Sequence, residues 1–129
     1  MKEDYINRNK KKFNWEGICT CFELSEEFMR EFKDKVDWDC ISIYQNLSEN
    51  FIREFKDRVN WDMITEFQKL SESFMREMKD YVDWYMVSIY QNLSENFIRE
   101  FKDKLYWNKI GSHQKLSGEF REEFRDRLG

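Results

Sequence analysis

The chain has 129 residues, of which 22 are Lys or Arg and 26 are Asp or Glu, giving a formal net charge of -4. Both signs are mixed along its whole length, which excludes a phosphate-tracking basic surface and an acidic mimic of nucleic acid. No run approaches the ~18 apolar residues of a membrane span, and the opening Met-Lys-Glu-Asp-Tyr is not a secretory signal, so the expected location is the cytoplasm.

Pro is absent and Gly occurs only four times, which leaves little material for long loops and points to helices. Twelve Phe within an aromatic share of 18% supply the apolar area for a core. Residues 1–13 read as a degenerate capping helix, because Tyr5, Ile6 and Phe13 align with Phe28, Met29 and Val36. Lys10, Lys11 and Lys12 form its one basic cluster, which reads as solvation.

From residue 14 to 116 the chain is a tandem repeat. Trp15, Trp38, Trp61, Trp84 and Trp107 return every 23 residues, each followed nine places later by Leu-Ser. The unit reads as two helices. Ser25, Ser48, Ser71, Ser94 and Ser117 are N-cap residues of the first, preceded by leucines that pack forward as hydrophobic staples. Phe28, Met29, Phe32 and Val36 then make one apolar stripe, and i,i+4 couples such as Glu26 with Arg30 and Glu31 with Lys35 line the wet face. The first helix is expected to run ~12 residues, to about Val36-Asp37, and the second ~9 residues from Trp38 at its first position, both too short to persist alone. Trp38, Ile41 and Tyr44, with Cys40 beside them, are expected to face inward, as are Trp61, Ile64 and Phe67.

Residues 117–129 read as a carboxy-terminal cap, where Phe120, Phe124 and Leu128 keep the stripe while Arg121 and Glu122 depart from it. The expected fold is therefore all-α, a single repeat domain over 1–129 built as an α-solenoid of helix-turn-helix units. Ser42 to Asp57 is identical to Ser88 to Asp103, which indicates duplication of a two-unit block.

Catalytic chemistry finds little support in the sequence. The lone His113 has no nucleophile placed beside it by the repeat. Cys19, Cys21 and Cys40 make an odd count without the spacing of a disulfide framework, and Cys40 takes a position held elsewhere by Met63 and Met86, which reads as core. The cysteines have no partners for a metal site, and no phosphate loop or nucleophile elbow occurs. No catalytic residue, cofactor or metal is expected. The periodic tryptophans read as interior packing rather than as platforms for stacked bases.

Recognition is expected at positions that face outward and vary between units. Tyr81 stands where other units have Lys35, Arg58 and Lys104, Tyr85 follows Trp84 where others carry Glu16, Asp39 and Asp62, and Ile89 lies four further on. Tyr81, Tyr85 and Ile89 are the candidate binding patch, with Ile43 a second apolar point.

The phrase Tyr-Gln-Asn-Leu-Ser-Glu-Asn-Phe-Ile-Arg-Glu-Phe-Lys-Asp-Arg-Val-Asn-Trp over residues 44–61 resembles the short Trp-containing helical repeats found in proteins of large DNA viruses and bacteriophages. The resemblance implies a viral accessory protein that grips, and inhibits, a host or defence protein, and places it in the host cytoplasm. The expected function is a non-enzymatic scaffold for a protein partner. Two alternatives stay open: a nucleic-acid-binding helical repeat, which the charge disfavours, and a self-assembling structural element in which copies of the chain pair through the same patch.

Overall fold

The structure, a computed structural model, describes residues 14–129, so the capping helix expected over 1–13, with Lys10, Lys11 and Lys12, lies outside the described residues. The described chain is all-helical, an α-solenoid of short helix pairs repeating every 23 residues. The contacts of the described residues divide them into two compact units, one ending at Gln68 and one over 69–129.

The first unit contains α1 (Trp15–Cys21), α2 (Glu26–Glu31), α3 (Trp38–Tyr44), α4 (Glu49–Glu54) and α5 (Trp61–Phe67), with α1 packed on α3 and α3 on α5. The second contains α6 (Glu72–Glu77), α7 (Trp84–Tyr90), α8 (Glu95–Glu100), α9 (Trp107–His113), α10 (Gly118–Glu123) and α11 (Arg125–Leu128), with α7 on α9 and α11 on α9.

Side-chain caps set the starts of nine of the eleven described helices. The Oγ of Ser25, Ser48, Ser71, Ser94 and Ser117 accepts the N–H three residues on at 3.0 or 3.1 Å. Asn14, Asp37, Asn60 and Asp83 cap the Trp-led helices with a side-chain oxygen, which places each following Trp at the first helical position, as the spacing predicts.

The first-type helices are shorter than the periodicity implies. Each has six residues and stops at Glu31, Glu54, Glu77, Glu100 or Glu123. Beyond Glu31, Phe32 leaves helical geometry at φ -106 and ψ 29, and its carbonyl accepts from both Lys35 and Val36 at 2.8 and 3.0 Å. This tight turn keeps nearly the helical register, so Val36 still enters the core and mimics a continuing helix in sequence. The turn also frees the Lys33 carbonyl, which accepts the Trp38 Nε1–H at 3.0 Å. Trp84 does the same to Lys79 at 3.0 Å and Trp107 to Lys102 at 2.8 Å.

The core is built from Phe28, Met29 and Ile41 in the first unit and Phe97, Ile98 and Ile110 in the second, together with their repeats. The tryptophans are half-buried rather than interior: the indoles of Trp15, Trp38, Trp84 and Trp107 lie against the phenylalanines of the following repeat, with Trp38 4.9 Å from Phe55 and Trp84 4.8 Å from Phe101. The inward stripe of the Trp-led helices is also narrower than expected. Tyr44 and Phe67 are 61% and 50% exposed, because six residues past the Trp is about 120° around the helix from it. The next residue, Gln45 or Gln68, turns inward instead.

These glutamines join successive repeats. Gln45 Oε1 accepts the Leu24 N–H at 2.9 Å while its Nε2 donates to the carbonyls of Cys19 and Phe22 at 2.7 and 2.8 Å. Gln68 serves Leu47, Ser42 and Gln45 in the same way, and Gln114 serves Leu93, Ser88 and Gln91. One buried amide thus satisfies a donor and two acceptors that the preceding loop would otherwise leave orphaned.

Cys40 is a buried core residue, as its repeat position predicts, but its pairing departs from the sequence reading. Cys19 of α1 and Cys40 of α3 form a disulfide with Cα atoms 6.2 Å apart, and Cys21 is free and exposed. The pair is 21 residues apart, two short of the period, a spacing that places the two sulfurs between adjacent Trp-led helices and carries no framework signature.

The charged face also departs from expectation. Arg30 lies 3.9 Å from Glu26, but its 2.8 Å partner is Glu54 of the next repeat, and Asp34 pairs with Arg58 rather than with Arg30. In the second unit Arg76 pairs with Glu100 and Arg99 with Glu123, and Arg99 also sits 5.1 Å from the Phe120 ring centroid. The pairs bridge repeats because stacked copies bring residues 24 apart as close as one helical turn brings residues four apart.

Candidate functional site

The variable surface of the second unit is assembled where α7 meets α9. Asp83 caps α7 by accepting the Tyr85 N–H at 3.0 Å and the Met86 N–H at 3.2 Å, which fixes Tyr85 on the first turn with its ring outward. The start of α9 is tied to α7 by the Tyr106 N–H, which donates 3.0 Å to the buried Ser88 Oγ. That bond places the Tyr106 ring edge-on to Tyr85, centroids 5.1 Å apart and planes at 84°. Lys109, one turn into α9, holds its Nζ 5.8 Å from the Tyr85 centroid.

Of the residues expected to form the patch, two are exposed aromatics. Tyr85 and Tyr81 are each 38% exposed, and Tyr81 sits on the turn after α6, where its N–H donates to Met78. Ile89 is half-buried and contributes an edge rather than a protruding side chain. Ile43 is also half-buried and belongs to the first unit, where it lines a separate cleft. The ring partner of Tyr85 is Tyr106, which the variable-position reading missed.

A signal for Tyr106 is nevertheless present in the sequence. Four of the five Trp-led helices have Asn or Asp before the Trp, whereas Tyr106 leaves α9 with no side-chain cap and keeps its own ring 49% exposed. Giving up such a cap costs about 1 kcal/mol, and an exposed aromatic returns little of it to folding. A local rule broken without a structural gain marks a residue retained for another purpose.

Chemically the surface where α7 meets α9 offers two phenol rings and an ammonium group, a composition fitted to protein recognition: large, rigid area with hydroxyls at the rim. The electrostatic perturbations lie elsewhere, on the inter-repeat pairs. Hydrogen bonds from Arg58, Arg76 and Arg99 hold the carboxyls of Asp34, Glu100 and Glu123 below their ordinary range. His113 is exposed, with Nδ1 2.9 Å from Ser112 Oγ and 3.3 Å from the Lys109 carbonyl. Among the described residues no cluster of His, Cys, Asp and Glu is arranged to hold a metal, and no helix is long and apolar enough to cross a membrane.

No protein-family model, curated protein or solved structure matches the chain.

Proposed function

We propose that the chain is a non-enzymatic repeat scaffold that binds a protein partner through Tyr81, Tyr85 and Tyr106, with Ile89 at the edge. The observation that carries this reading is the exposed Tyr85–Tyr106 pair, built at the cost of the α9 cap. The likeness of the repeat to those of large DNA viruses and bacteriophages favours an accessory protein that inhibits a host or defence protein in the host cytoplasm. A protein partner is favoured over nucleic acid because Arg30, Arg58, Arg76, Arg99 and Arg127 are engaged by carboxylates of the chain. Affinity capture from host lysate with the parent chain and with Tyr85→Ala/Tyr106→Ala tests the reading. A protein retained by the parent and lost from the variant, at unchanged helicity, supports it; identical capture profiles overturn it.

A further inference from the structure

A cleft of about 410 Å³ opens in the first unit at the carboxy-terminal ends of α1 and α3, between Thr20 to Glu23 on one side and Tyr44 and Phe67 on the other. Three features of its lining agree in sign. Tyr44 and Phe67 present exposed aromatic rings. The single charged side chain of the lining is Glu23, which makes no ion pair among the described residues. The main-chain carbonyls of Thr20, Cys21, Ile43 and Tyr44 fall in the last turns of α1 and α3, where helical acceptors are left over, and they receive no hydrogen bond among the described residues.

The surroundings reinforce that sign. The Gln45 and Gln68 amides are spent on the neighbouring carbonyls of Cys19, Phe22, Ser42 and Gln45, so they supply no donor to the cleft. All basic residues described in the first unit lie on α2, α4 and their turns; α1, α3 and α5 have none and carry Glu16, Asp39, Asp62 and Glu66. A site made of ring faces, carbonyl oxygens and a carboxylate that have no partner among the described residues, on helices whose described charges are all acidic, complements a cationic hydrogen-bond donor.

We infer that this cleft receives an arginine side chain from a protein partner, its guanidinium lying against Tyr44 and Phe67 and donating to Glu23 and the helix-end carbonyls. Arginine fits better than lysine because a planar group stacks on a ring while its N–H groups, directed outward in the guanidinium plane parallel to the ring, reach several acceptors at once. The inference deepens the scaffold reading and rests on it for the class of partner, a protein.

The test is a titration of the intact, isotope-labelled chain with the acetylated, amidated peptide Gly-Arg-Gly-Arg-Gly-Arg, followed by amide chemical shifts. Saturable shifts centred on residues 20–23, 43–46 and 67 are expected. Tyr44→Ala and Phe67→Ala each weaken binding about two- to fivefold, the usual strength of an exposed cation–ring contact. Glu23→Gln weakens it as well, whereas Tyr85→Ala leaves it unchanged and the citrulline counterpart does not bind. Tyr44→Leu, which keeps apolar bulk, separates loss of the ring face from any loss of fold. Shifts that fail to saturate, that centre elsewhere, or that are equal for the citrulline or lysine peptide overturn the inference. Partner capture through Tyr85 and Tyr106 without any arginine-peptide response removes this cleft and leaves the scaffold reading standing; the converse result removes the scaffold patch alone.

Discussion

The side-chain amide of Gln114 accepts the Leu93 N–H at 3.2 Å and donates to the Gln91 carbonyl at 2.8 Å, closing a loop of the preceding repeat from within the core. Its third bond runs 3.0 Å to the Ser88 carbonyl. Replacing Gln114 with Met preserves volume and strands all three backbone groups in a buried site. Each stranded group costs about 1–3 kcal/mol, so Gln114→Met is expected to lose roughly 3 kcal/mol or more of stability in urea unfolding. A loss below about 0.5 kcal/mol, the scale of an indifferent surface change, contradicts the role given to the amide.

The helix pairs, their caps and the repeat period were legible because Ser, Asp and Asn act on backbone groups two or three residues away, a distance the sequence displays directly. The Gln45 and Gln68 ties, the Arg30–Glu54 bridge and the Cys19–Cys40 pair were not, since each spans about one whole repeat and depends on how copies stack. The glutamines did leave a trace: an uncharged polar residue unchanged in four successive copies is expected to have interior work. At the surface, substitution against the repeat identified Tyr81 and Tyr85. Tyr106 escaped because it stands at the capping position before the Trp, where the repeat calls for a backbone partner rather than an outward ring.

Tyr106→Asp separates folding from binding. The aspartate restores the cap that α9 lacks and matches Asp37 and Asp83 in the other units. Stability is expected to rise by about 0.5–2 kcal/mol, the ordinary worth of an N-cap, while capture of the partner falls as the ring beside Tyr85 disappears. Thermal unfolding and partner capture on the same preparation check the two halves. A variant that binds as well as the parent refutes the place of Tyr106 in the recognition surface.

Acid is expected to loosen the repeats. Because Arg76 and Arg99 hold Glu100 and Glu123 below the ordinary carboxylate range, the unfolded chain takes up protons at higher pH than the folded one. The stabilisation is therefore complete above the unfolded glutamate value near ~4.3 and drains away as pH falls through the lowered folded values. The pairs are half-exposed, so the effect should shrink in ~1 M salt, where the screening length is about 3 Å. Melting temperatures recorded from neutral to strongly acidic pH, for the parent and for Arg76→Gln/Arg99→Gln, check the sign. An acid slope that is identical in the two proteins assigns the loss to other carboxylates.

Ile41 and Tyr44 belong to the same helix and make opposite predictions. Ile41 is fully buried against the neighbouring helices, so Ile41→Ala removes buried methyl and methylene groups and leaves a cavity, at an expected cost of about 2–5 kcal/mol. Tyr44 ends the helix with most of its ring in water, so Tyr44→Ser is expected to change stability by no more than about 0.5 kcal/mol. The two variants, unfolded in parallel in urea, measure where the inward face of the Trp-led helices ends. Comparable losses would return Tyr44 to the core and close the aromatic wall of the cleft it borders; a wide gap between them leaves that ring free to meet a partner.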